Sequence, residues 1–375
     1  MTRDAFGLIY AGEQNFNLRE LTYLRTVGAI PVGGRYRAID FVLSNMVNTG
    51  FRNVGVVAQR SYQSLMDHLG SGKAWDLSRK NEGLYMLPPF SNYDTPGEVH
   101  GLIDALKGVL SYLRHSKQAY LVLSGSFTIY NTTYDDVLKF HIDSGADITM
   151  MYNEIDLDDN RRERFQDVRI QIDEDNRVIG MEIDSPLTES RLCGMDTYVM
   201  RKDLLEYLVE DAVSRGKHRF VSDLLMEQVP RLKIMGYEYN GYVGRLHSVA
   251  SYYKINMDML EVDVQKDLFY SGNPVYTKTK DEVPTKYTGT ANVRNSLVAN
   301  GCIIEGEVEN SILFRGIFVG RGARVRNSII MQNSEVYNNS DLEYVILDKN
   351  VNIRQGRRLI GDQDFPVIIR KGAMV

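Results

Sequence analysis

An apolar run that leads into a polar loop, FGLIYAGEQNFNLRELT at residues 6–22, is the most informative part of the chain. The run at 6–11 predicts a buried strand. A loop that leaves such a strand can cradle phosphates only where bare backbone N–H groups reach the anion, which usually requires several glycines. Here Gly12 is followed by Glu13, whose negative charge would repel a triphosphate. The stretch therefore predicts a strand and loop of an α/β domain with a damaged phosphate cradle.

Length and composition indicate a globular protein of two domains, because 375 residues exceed one ordinary core. The net charge of -5 gives no general attraction to nucleic acid or to an anionic membrane, so we expect neither as a partner. No apolar run approaches the roughly 18 residues of a spanning helix. Cys193 and Cys302 lie far apart and support neither a disulfide framework nor a zinc site. We expect a cytoplasmic protein.

Strand-like and helix-like patterns alternate from the N-terminus to about residue 260. We therefore predict that residues 1–260 form a doubly wound, Rossmann-like α/β domain with a mostly parallel sheet. Its ligands should bind beyond the carboxyl ends of the strands. The predicted strands lie at 6–11, 54–58, 119–123 and 147–152, and the predicted helices at 102–113, 134–144 and 202–214.

The residue pattern changes after a polar connector at 261–290. In the segment 291–375 an apolar residue recurs every six positions, with Arg324 as the one miss and Val325 beside it. This period is typical of a left-handed parallel β-helix, here of about four coils, and such domains usually mediate assembly. A set of antiparallel hairpins is the alternative. The recurring residues are Ile312, Phe318, Ile330, Val336 and Leu342.

Three strings carry a resemblance to a known family: GGRYRAIDF at 33–41, GKAWDL at 72–77 and NMDML at 256–260. With the hexapeptide C-terminus, they make the chain resemble bacterial glucose-1-phosphate adenylyltransferase (ADP-glucose pyrophosphorylase) over nearly its whole length. The closest match is the non-catalytic paralogous subunit that accompanies a catalytic subunit in glycogen synthesis. The resemblance implies a nucleotidyltransferase domain, a β-helix and a tetramer.

The same resemblance shows what the phosphate loop has lost. In the active family a glycine-rich loop with a catalytic arginine, followed by a lysine, holds the triphosphate and its developing charge. The second and third loop glycines correspond here to Glu13 and Asn15. The arginine corresponds to Asn17, and the lysine corresponds to Val27.

The carboxylates that hold Mg²⁺ in the family are replaced as well. One corresponds to Ser126 and the other to Arg245, where a cation replaces a carboxylate. Losing one preorganised charge stabiliser typically costs on the order of 10²–10³ in rate. We therefore expect no catalytic residues, no metal and no cofactor in this chain.

Some positions of the old pocket persist. Gly12, Gly125 and Gln59 match the family, and Gln59 matches a glutamine that meets adenine there. A solvated loop glutamine is the alternative. Trp75 is expected to be a packing anchor, and His247 alone does not make a metal site.

Arginines at the expected domain junction are a second candidate site. Arg25 and Arg37 match arginines that hold effector phosphates in the family, and Arg35 would face the same way as Arg37 on an extended segment. A solvated basic surface is the alternative reading. Further positive charge comes from Arg354, Arg357, Arg358, Arg370 and Lys371.

The sequence thus predicts a non-catalytic regulatory subunit that associates with itself and with a catalytic paralogue, and that responds to a phosphorylated effector. One rival is a weakly active enzyme with a site rebuilt from Arg19 or Arg25 with Asp40 or Asp104. Another is a free-standing sensor of a sugar phosphate or nucleotide. Acyl transfer on the β-helix is disfavoured because 291–375 contains no histidine to act as a base.

Overall fold

A computed structural model of the chain describes residues 4–12, 16–59, 61–88, 100–155, 167–183, 185 and 188–375. An α/β domain comes first along the chain and a β-helix follows it. None of the helices in these ranges is long and apolar enough to cross a membrane.

The α/β domain contains short and long strands in alternation with helices. Its strands are β1 (Ala5–Ala11), β2 (Pro31–Val32), β3 (Tyr36–Arg37), β4 (Asn53–Ala58), β5 (Gly83–Leu87), β6 (Tyr120–Gly125), β7 (Thr128–Ile129), β8 (Ile148–Glu154), β9 (Val168–Ile172), β10 (Val178–Ile183), β11 (Leu192–Arg201), β12 (Ile234–Glu238) and β13 (Gly244–Arg245). Its helices are α1 (Ala38–Asn48), α2 (Gln63–Leu69), α3 (Leu102–Gly108), α4 (Leu110–His115), α5 (Asp135–Ser144), α6 (Lys202–Ser214), α7 (Met226–Gln228), α8 (Val249–Asp258) and α9 (Val262–Phe269). Short 3₁₀ turns lie at Phe16–Thr22, Val27–Ala29 and Lys73–Trp75, and a π-helical turn lies at Phe220–Leu225.

The main sheet has the order β10-β9-β11-β6-β1-β4-β5, with β8 on β11 and β12 on β8. Strand β1 runs parallel to both β4 and β6, whereas β11 runs antiparallel to β6. Alternate residues of β1 enter different apolar cores: Phe6 and Leu8 on one face, Ala5 and Ile9 on the other. Both faces of the sheet are therefore covered, and the predicted doubly wound, mostly parallel α/β fold is confirmed.

The helix predicted at 102–113 is two helices. Helix α3 ends at Gly108, Val109 departs from helical geometry with φ -113° and ψ 12°, and α4 follows. Glycine is a weak helix former, so the chain breaks there although the apolar period continues across the break.

The C-terminal part is the predicted left-handed parallel β-helix. Its strands pair only in parallel and form three five-stranded sheets, so the antiparallel-hairpin alternative is wrong. The strands are β14 (Lys286–Tyr287), β15 (Asn292–Arg294), β16 (Leu297–Val298), β17 (Ile303–Ile304), β18 (Glu307–Glu309), β19 (Ile312–Leu313), β20 (Phe318–Val319), β21 (Arg324–Arg326), β22 (Ile329–Ile330), β23 (Glu335–Val336), β24 (Asp341–Glu343), β25 (Val345–Leu347), β26 (Asn352–Ile353), β27 (Arg358–Ile360) and β28 (Val367–Ile369).

The repeat of this helix differs from a strict six-residue period. Ile312 pairs with Ile329, and Ile329 pairs with Ile346, so each of these two turns takes 17 residues and one of its three sides is a residue short. The turn before them, from Leu297 to Ile312, takes 15 residues. Consequently Leu313 and Val319 point into the β-helix core. The six-residue pattern had placed Ile312 and Phe318 at these inward positions, which is wrong by one residue.

The three outer faces of the β-helix differ in chemistry. On the β16-β19-β22-β25-β28 face, Ile312, Ile329 and Ile346 share one apolar core with the α/β domain. On the β15-β18-β21-β24-β27 face, acidic and basic side chains alternate along the stack. Arg326, for example, lies 3.1 Å from Glu343 and 3.2 Å from Asp341. The first face is therefore an interface between domains, and the second is a self-neutralised surface.

Candidate functional site

Gln59, which follows β4, packs against Gly12 at the start of the loop that follows β1. Strands β1 and β4 are parallel neighbours, so Gly12 and Gln59 follow them at the same edge of the sheet. Gln59 is 6% exposed, and its Nε2 donates a hydrogen bond to the Tyr10 hydroxyl at 2.9 Å. A Cβ placed on Gly12 would lie 2.5 Å from Gln59 Cγ. The glutamine therefore packs on the glycine. Glu13 and Asn15 lie outside the described residues.

The two positions that resemblance assigns to lost cations have unlike surroundings. Asn17 is exposed, whereas Val27 is 1% exposed and belongs to the apolar core at the domain junction. A lysine at position 27 would have to replace an apolar side chain in that core, which is costly unless its charge reaches water or a partner.

Ser126, the first predicted metal position, follows β6 and is completely buried. The turn Val27–Ala29 closes over it, since a Cβ on Gly28 would lie 2.8 Å from Ser126 Oγ. Close packing of this kind leaves no room between the turn and the serine for a larger side chain without movement of one of them.

Arg245, the second predicted metal position, is held by the protein itself. Strand β13 pairs with β7, which places Arg245 opposite Thr128, just beyond Ser126. The guanidinium donates to the Asn153 side-chain oxygen and, at 3.3 Å, to the carbonyls of Cys193 and Gly194. Arginine cannot lose its charge, so this position carries a permanent cation where the family resemblance implies a carboxylate.

A buried polar network adjoins Arg245. Asp167 lies 3.3 Å from Arg169 and 3.3 Å from His247, and all three side chains are less than a tenth exposed. Burial lowers the pKa of His247 to about 4, so the imidazole is neutral near pH 7. Burial also raises the pKa of the Cys193 thiol to about 11, which makes it a poor nucleophile.

One carboxyl beside this pocket escaped the sequence reasoning. Asp196 interrupts β11 in a left-handed conformation with φ 51°, and a Cβ on Gly125 would lie 2.0 Å from its Oδ2. Burial raises the pKa of Asp196 to about 7. Gly125 is therefore required for the close approach of this carboxyl. In the sequence, the signal for this carboxyl was an acidic residue inside an otherwise mostly apolar strand.

The residues at the old metal positions do not suit Mg²⁺, which prefers several oxygen ligands and carboxylates above all. They present a buried hydroxyl and a guanidinium. Among the described residues there is no group of three or more His, Cys, Asp or Glu side chains placed to hold a metal ion. We derive no metal-dependent step for this chain.

Arg25, the first effector candidate, is engaged inside the molecule. Its Nη2 donates to both carboxylate oxygens of Asp348, at 2.8 and 2.7 Å, and its Nη1 contacts Met331 Sδ at 3.7 Å. Arg25 is 4% exposed and Asp348 is 2% exposed. This bidentate ion pair joins the two domains, so Arg25 has a structural partner in the position where a ligand phosphate was expected.

Arg37 lies next to this pair and is only half-buried. Its Nη1 donates to the Ser64 carbonyl at 2.6 Å, and its backbone N–H donates to Asp40, whose other oxygen lies 2.5 Å from His68 Nε2. Burial lowers the pKa of Arg37 to about 10. The hydrogen bonds from its guanidinium to the Ser64 carbonyl and hydroxyl fix where its positive charge lies.

Lys349 is a cation of this region that sequence reasoning missed. Burial, followed by Arg37 and Arg25, lowers the pKa of its amine to about 7. Lys371 lowers the pKa further. Positive charges therefore crowd together at the junction of the domains, in an arrangement that favours an added anion.

The other basic candidates do not form one surface. Arg358 lies 3.6 Å from Asp341 on the charge-alternating face, and Arg354 and Arg357 are exposed. Leu347 pairs with Ile369, so Arg370 follows in register with Asp348 at the domain junction. Arg35 lies in the turn between β2 and β3, where it is exposed. Only part of the predicted basic set is thus gathered at the junction.

The residues of the rebuilt-site hypothesis do not converge. Arg25 pairs with Asp348 and Asp40 pairs with His68, as described above. Asp104 lies 2.9 Å from His218 Nδ1, and Arg19 is exposed on the turn before α1. None of these described contacts joins one of the arginines to Asp40 or Asp104.

Comparisons with known proteins agree with this architecture. A family model for nucleotidyl transferases matches residues 6–261, and a GlmU-like C-terminal hexapeptide model matches residues 282–364. The glycogen biosynthesis protein GlgD of Bacillus subtilis (strain 168) is 37% identical over 98% of this chain and 95% of its own length. GlgD of Geobacillus stearothermophilus is 37% identical over 100% of this chain and 98% of its own length. A glucose-1-phosphate adenylyltransferase of Fervidobacterium nodosum is 30% identical over 95% of this chain and 86% of its own length.

Proposed function

This chain belongs to the glucose-1-phosphate adenylyltransferase family of nucleotidyltransferases, and from that premise we propose that it is a non-catalytic regulatory subunit in bacterial glycogen biosynthesis. Its partner would be a catalytic paralogue in a hetero-oligomer, with a tetramer as the expected assembly. The names of the GlgD relatives and of the adenylyltransferase relatives support this setting.

The observation that carries the non-catalytic part is the engagement of Arg245. A guanidinium bound to two strand carbonyls and to Asn153 stands where the family resemblance implies a metal carboxylate. A fixed cation there disfavours Mg²⁺, and without the metal nothing neutralises a triphosphate for in-line attack. The burial of Ser126 beneath Gly28 supports the same conclusion.

The regulatory part rests on the basic cluster, defined as Arg37, Lys349, Arg370 and Lys371. A phosphorylated effector is the ligand class that such a cluster favours, because phosphate accepts several charge-assisted hydrogen bonds. Binding would alter the packing of the β-helix against the α/β domain. Through a subunit contact, this would change the activity of the partner by a coupling free energy of about 1–3 kcal/mol.

The decisive experiment measures ADP-glucose synthesis by three preparations: this chain alone, its catalytic paralogue alone, and the two co-purified. We expect no ADP-glucose synthesis by this chain alone and a changed rate or substrate affinity in the complex. Mg²⁺-dependent turnover by this chain alone, or a complex no different from the paralogue, would refute the proposal. Arg37→Gln should reduce the effector response of the complex. Arg358→Gln, which removes the same charge from the alternating face, should leave it unchanged.

One observation favours a second candidate, a weakly active enzyme. Asp196 places a carboxyl against Gly125, close to the position of the lost metal ligand. If the purified chain turns over slowly and Asp196→Asn abolishes that turnover, Asp196 is a replacement catalytic group. If the rate survives in Asp196→Asn, the carboxyl has no part in it.

A further inference from the structure

A further cleft at the domain junction lies next to the basic cluster, since Arg315 in its lining is among the charges that lower the pKa of Arg37. It has a volume of about 660 Å³, within the range of small-molecule sites. The turn before β3, helix α9, the connector and the first two coils of the β-helix form its walls. Arg35, Arg315, Tyr36, Tyr270, Lys280 and Asn300 are among its lining residues. We infer that this cleft binds a nucleoside phosphate, with the phosphates between the two arginines and the base against the tyrosines.

The cationic side of the cleft consists of Arg35 and Arg315, which lie close enough to interact. Burial lowers the pKa of Arg315, and Arg35 lowers it further, because two nearby cations disfavour each other's charge. Glu282 and Asp40 raise it by smaller amounts, so the two carboxylates offset only part of this repulsion. Arg315 Nε is buried and has no hydrogen-bond partner within the described part of the chain. A phosphate between these guanidinium groups would relieve the repulsion and supply the missing acceptor.

Aromatic side chains also line the cleft. Tyr36 stacks on Phe269 with ring centroids 5.2 Å apart and an interplanar angle of 17°. Tyr270 follows directly, and its ring is 75% exposed. Tyr36 is near both ends of the cleft, since Arg35 and Tyr270 each affect its pKa, after the larger effect of burial. An exposed tyrosine beside a stacked pair is a platform on which a flat base can lie.

Charge and shape together select the ligand class. Arg35, Arg315 and Lys280 outnumber the acidic pair Asp281 and Glu282 in the lining, so an anion is favoured. The two carboxylates and Asn300 can accept or donate hydrogen bonds to ribose hydroxyls. A sugar phosphate would meet the arginines and leave the aromatic wall uncovered. A nucleoside phosphate uses both sides.

This inference goes beyond the proposed function and does not require a partner subunit. It also differs from the effector proposal, because Arg37 and Lys349 are not in the lining. The isolated chain can therefore bind a nucleotide in the cleft whether or not it regulates an enzyme. A negative result here would leave the co-purification experiment unaffected.

The test is calorimetric titration of the full-length chain with ADP, glucose 1-phosphate and inorganic pyrophosphate. We expect ADP to bind most tightly. Arg35→Gln or Arg315→Gln should weaken ADP and pyrophosphate by about tenfold or more, since each removes a charge-assisted contact. Tyr270→Ala should weaken ADP by about tenfold but leave pyrophosphate unchanged, because only ADP has a base to stack.

Two control variants distinguish binding in this cleft from binding in the old nucleotide pocket and from nonspecific attraction to positive charge. Gln59→Ala alters the old pocket, and Arg358→Gln removes a charge from the alternating face; neither should change ADP affinity. The inference is overturned if ADP does not bind, if Gln59→Ala abolishes binding while Tyr270→Ala does not, or if Arg358→Gln matches Arg35→Gln. Arg35 and Tyr270 are exposed, so their variants test the inference even if Arg315→Gln fails to fold.

Discussion

The edge of the α/β sheet and the junction between the domains each hold an arginine by contacts within the protein, Arg245 at the edge and Arg25 at the junction, but the charges around the two arginines differ. At the edge, Arg245 donates hydrogen bonds to the carbonyls of β11 and to the Asn153 side chain, and Gln59 packs on Gly12. At the junction, Asp348 pairs with Arg25, yet burial and then the neighbouring cations Arg37 and Arg25 lower the pKa of Lys349 to about 7. At the edge the Arg245 guanidinium is bonded to groups of the protein, whereas the junction holds cations beyond the one that Asp348 pairs with. Anion binding is therefore expected at the junction.

The largest expected effect comes from breaking the ion pair at the junction. Asp348→Asn leaves the Arg25 charge buried without a counter-charge, which typically costs about 3–5 kcal/mol. Urea unfolding measures the loss. Asp341→Asn, on the exposed alternating face, should cost at most about 1 kcal/mol. Replacing both partners together, as Arg25→Met with Asp348→Leu, should restore most of the stability; if it does not, the pair does more than neutralise charge.

The next effect concerns the edge and depends on pH. Burial raises the pKa of Asp196 to about 7, so the folded chain holds this proton more tightly than the unfolded chain. The stability from the neutral carboxyl is present below about pH 4 and is lost as the pH rises through about 7. Asp196→Asn should therefore gain about 1–3 kcal/mol over the wild type at about pH 8 and little at about pH 4.

Thermal melting across this pH range measures the difference. Asparagine tolerates the left-handed backbone of position 196, so the substitution adds little strain. Parallel curves for the wild type and Asp196→Asn would show that the carboxyl is already charged in the folded protein.

A smaller effect tests the excess charge at the junction. Because the pKa of Lys349 is lowered to about 7, its charge is lost as the pH rises through that value. Sulfate, whose own charge does not change, should bind up to about tenfold more weakly at about pH 8 than at about pH 6. Lys349→Met should remove most of this pH dependence, whereas Lys286→Met, at an exposed lysine of β14, should preserve it. Calorimetry at the two pH values measures both.

The smallest expected effect is a gain of function at the edge. The combined variant Ser126→Asp, Arg245→Asp, Asn17→Arg and Val27→Lys restores the lost groups, but Ser126 packs against Gly28, and Glu13 and Asn15 remain. We expect ADP-glucose synthesis at least about 10²-fold below that of the catalytic paralogue. Asn17→Arg alone, at an exposed position, should give no activity. A rate near that of the paralogue would mean that the pocket has kept its geometry.

Sequence patterns predicted the architecture because buried apolar residues recur at regular spacings along strands, helices and β-helix coils. Phe6 to Ala11 forms a strand buried on both faces, and the β-helix repeats its inward aliphatic residues. The inward register was predicted correctly at Ile330, Val336 and Leu342 and was wrong by one residue at Ile312 and Phe318, because the turn from Ile312 to Ile329 takes 17 residues and not 18. The outward Ile312 is apolar because it faces the other domain, and periodicity alone does not distinguish that burial from core burial.

Site chemistry was less predictable because it depends on partners distant in sequence. The resemblance identified Arg25, but its partner Asp348 lies 323 residues away. Nothing local marks Asp348 as the partner or Lys349 as a crowded amine. Likewise the sequence shows Asp196 only as a polar residue in a strand, and its contact with Gly125 is visible only in the folded chain.

The apolar core shared by the two domains has a mechanical consequence. Ile312, Ile329 and Ile346 on the β-helix pack in one cluster with Tyr252 and Met259 from the region of α8, and the Arg25–Asp348 pair is embedded beside it. A close-packed core transmits displacement and does not absorb it. We therefore expect the β-helix to act as a rigid lever, so that a force tilting it would also displace the turn before β3, the cleft lined by Arg35 and Arg315, and the basic cluster.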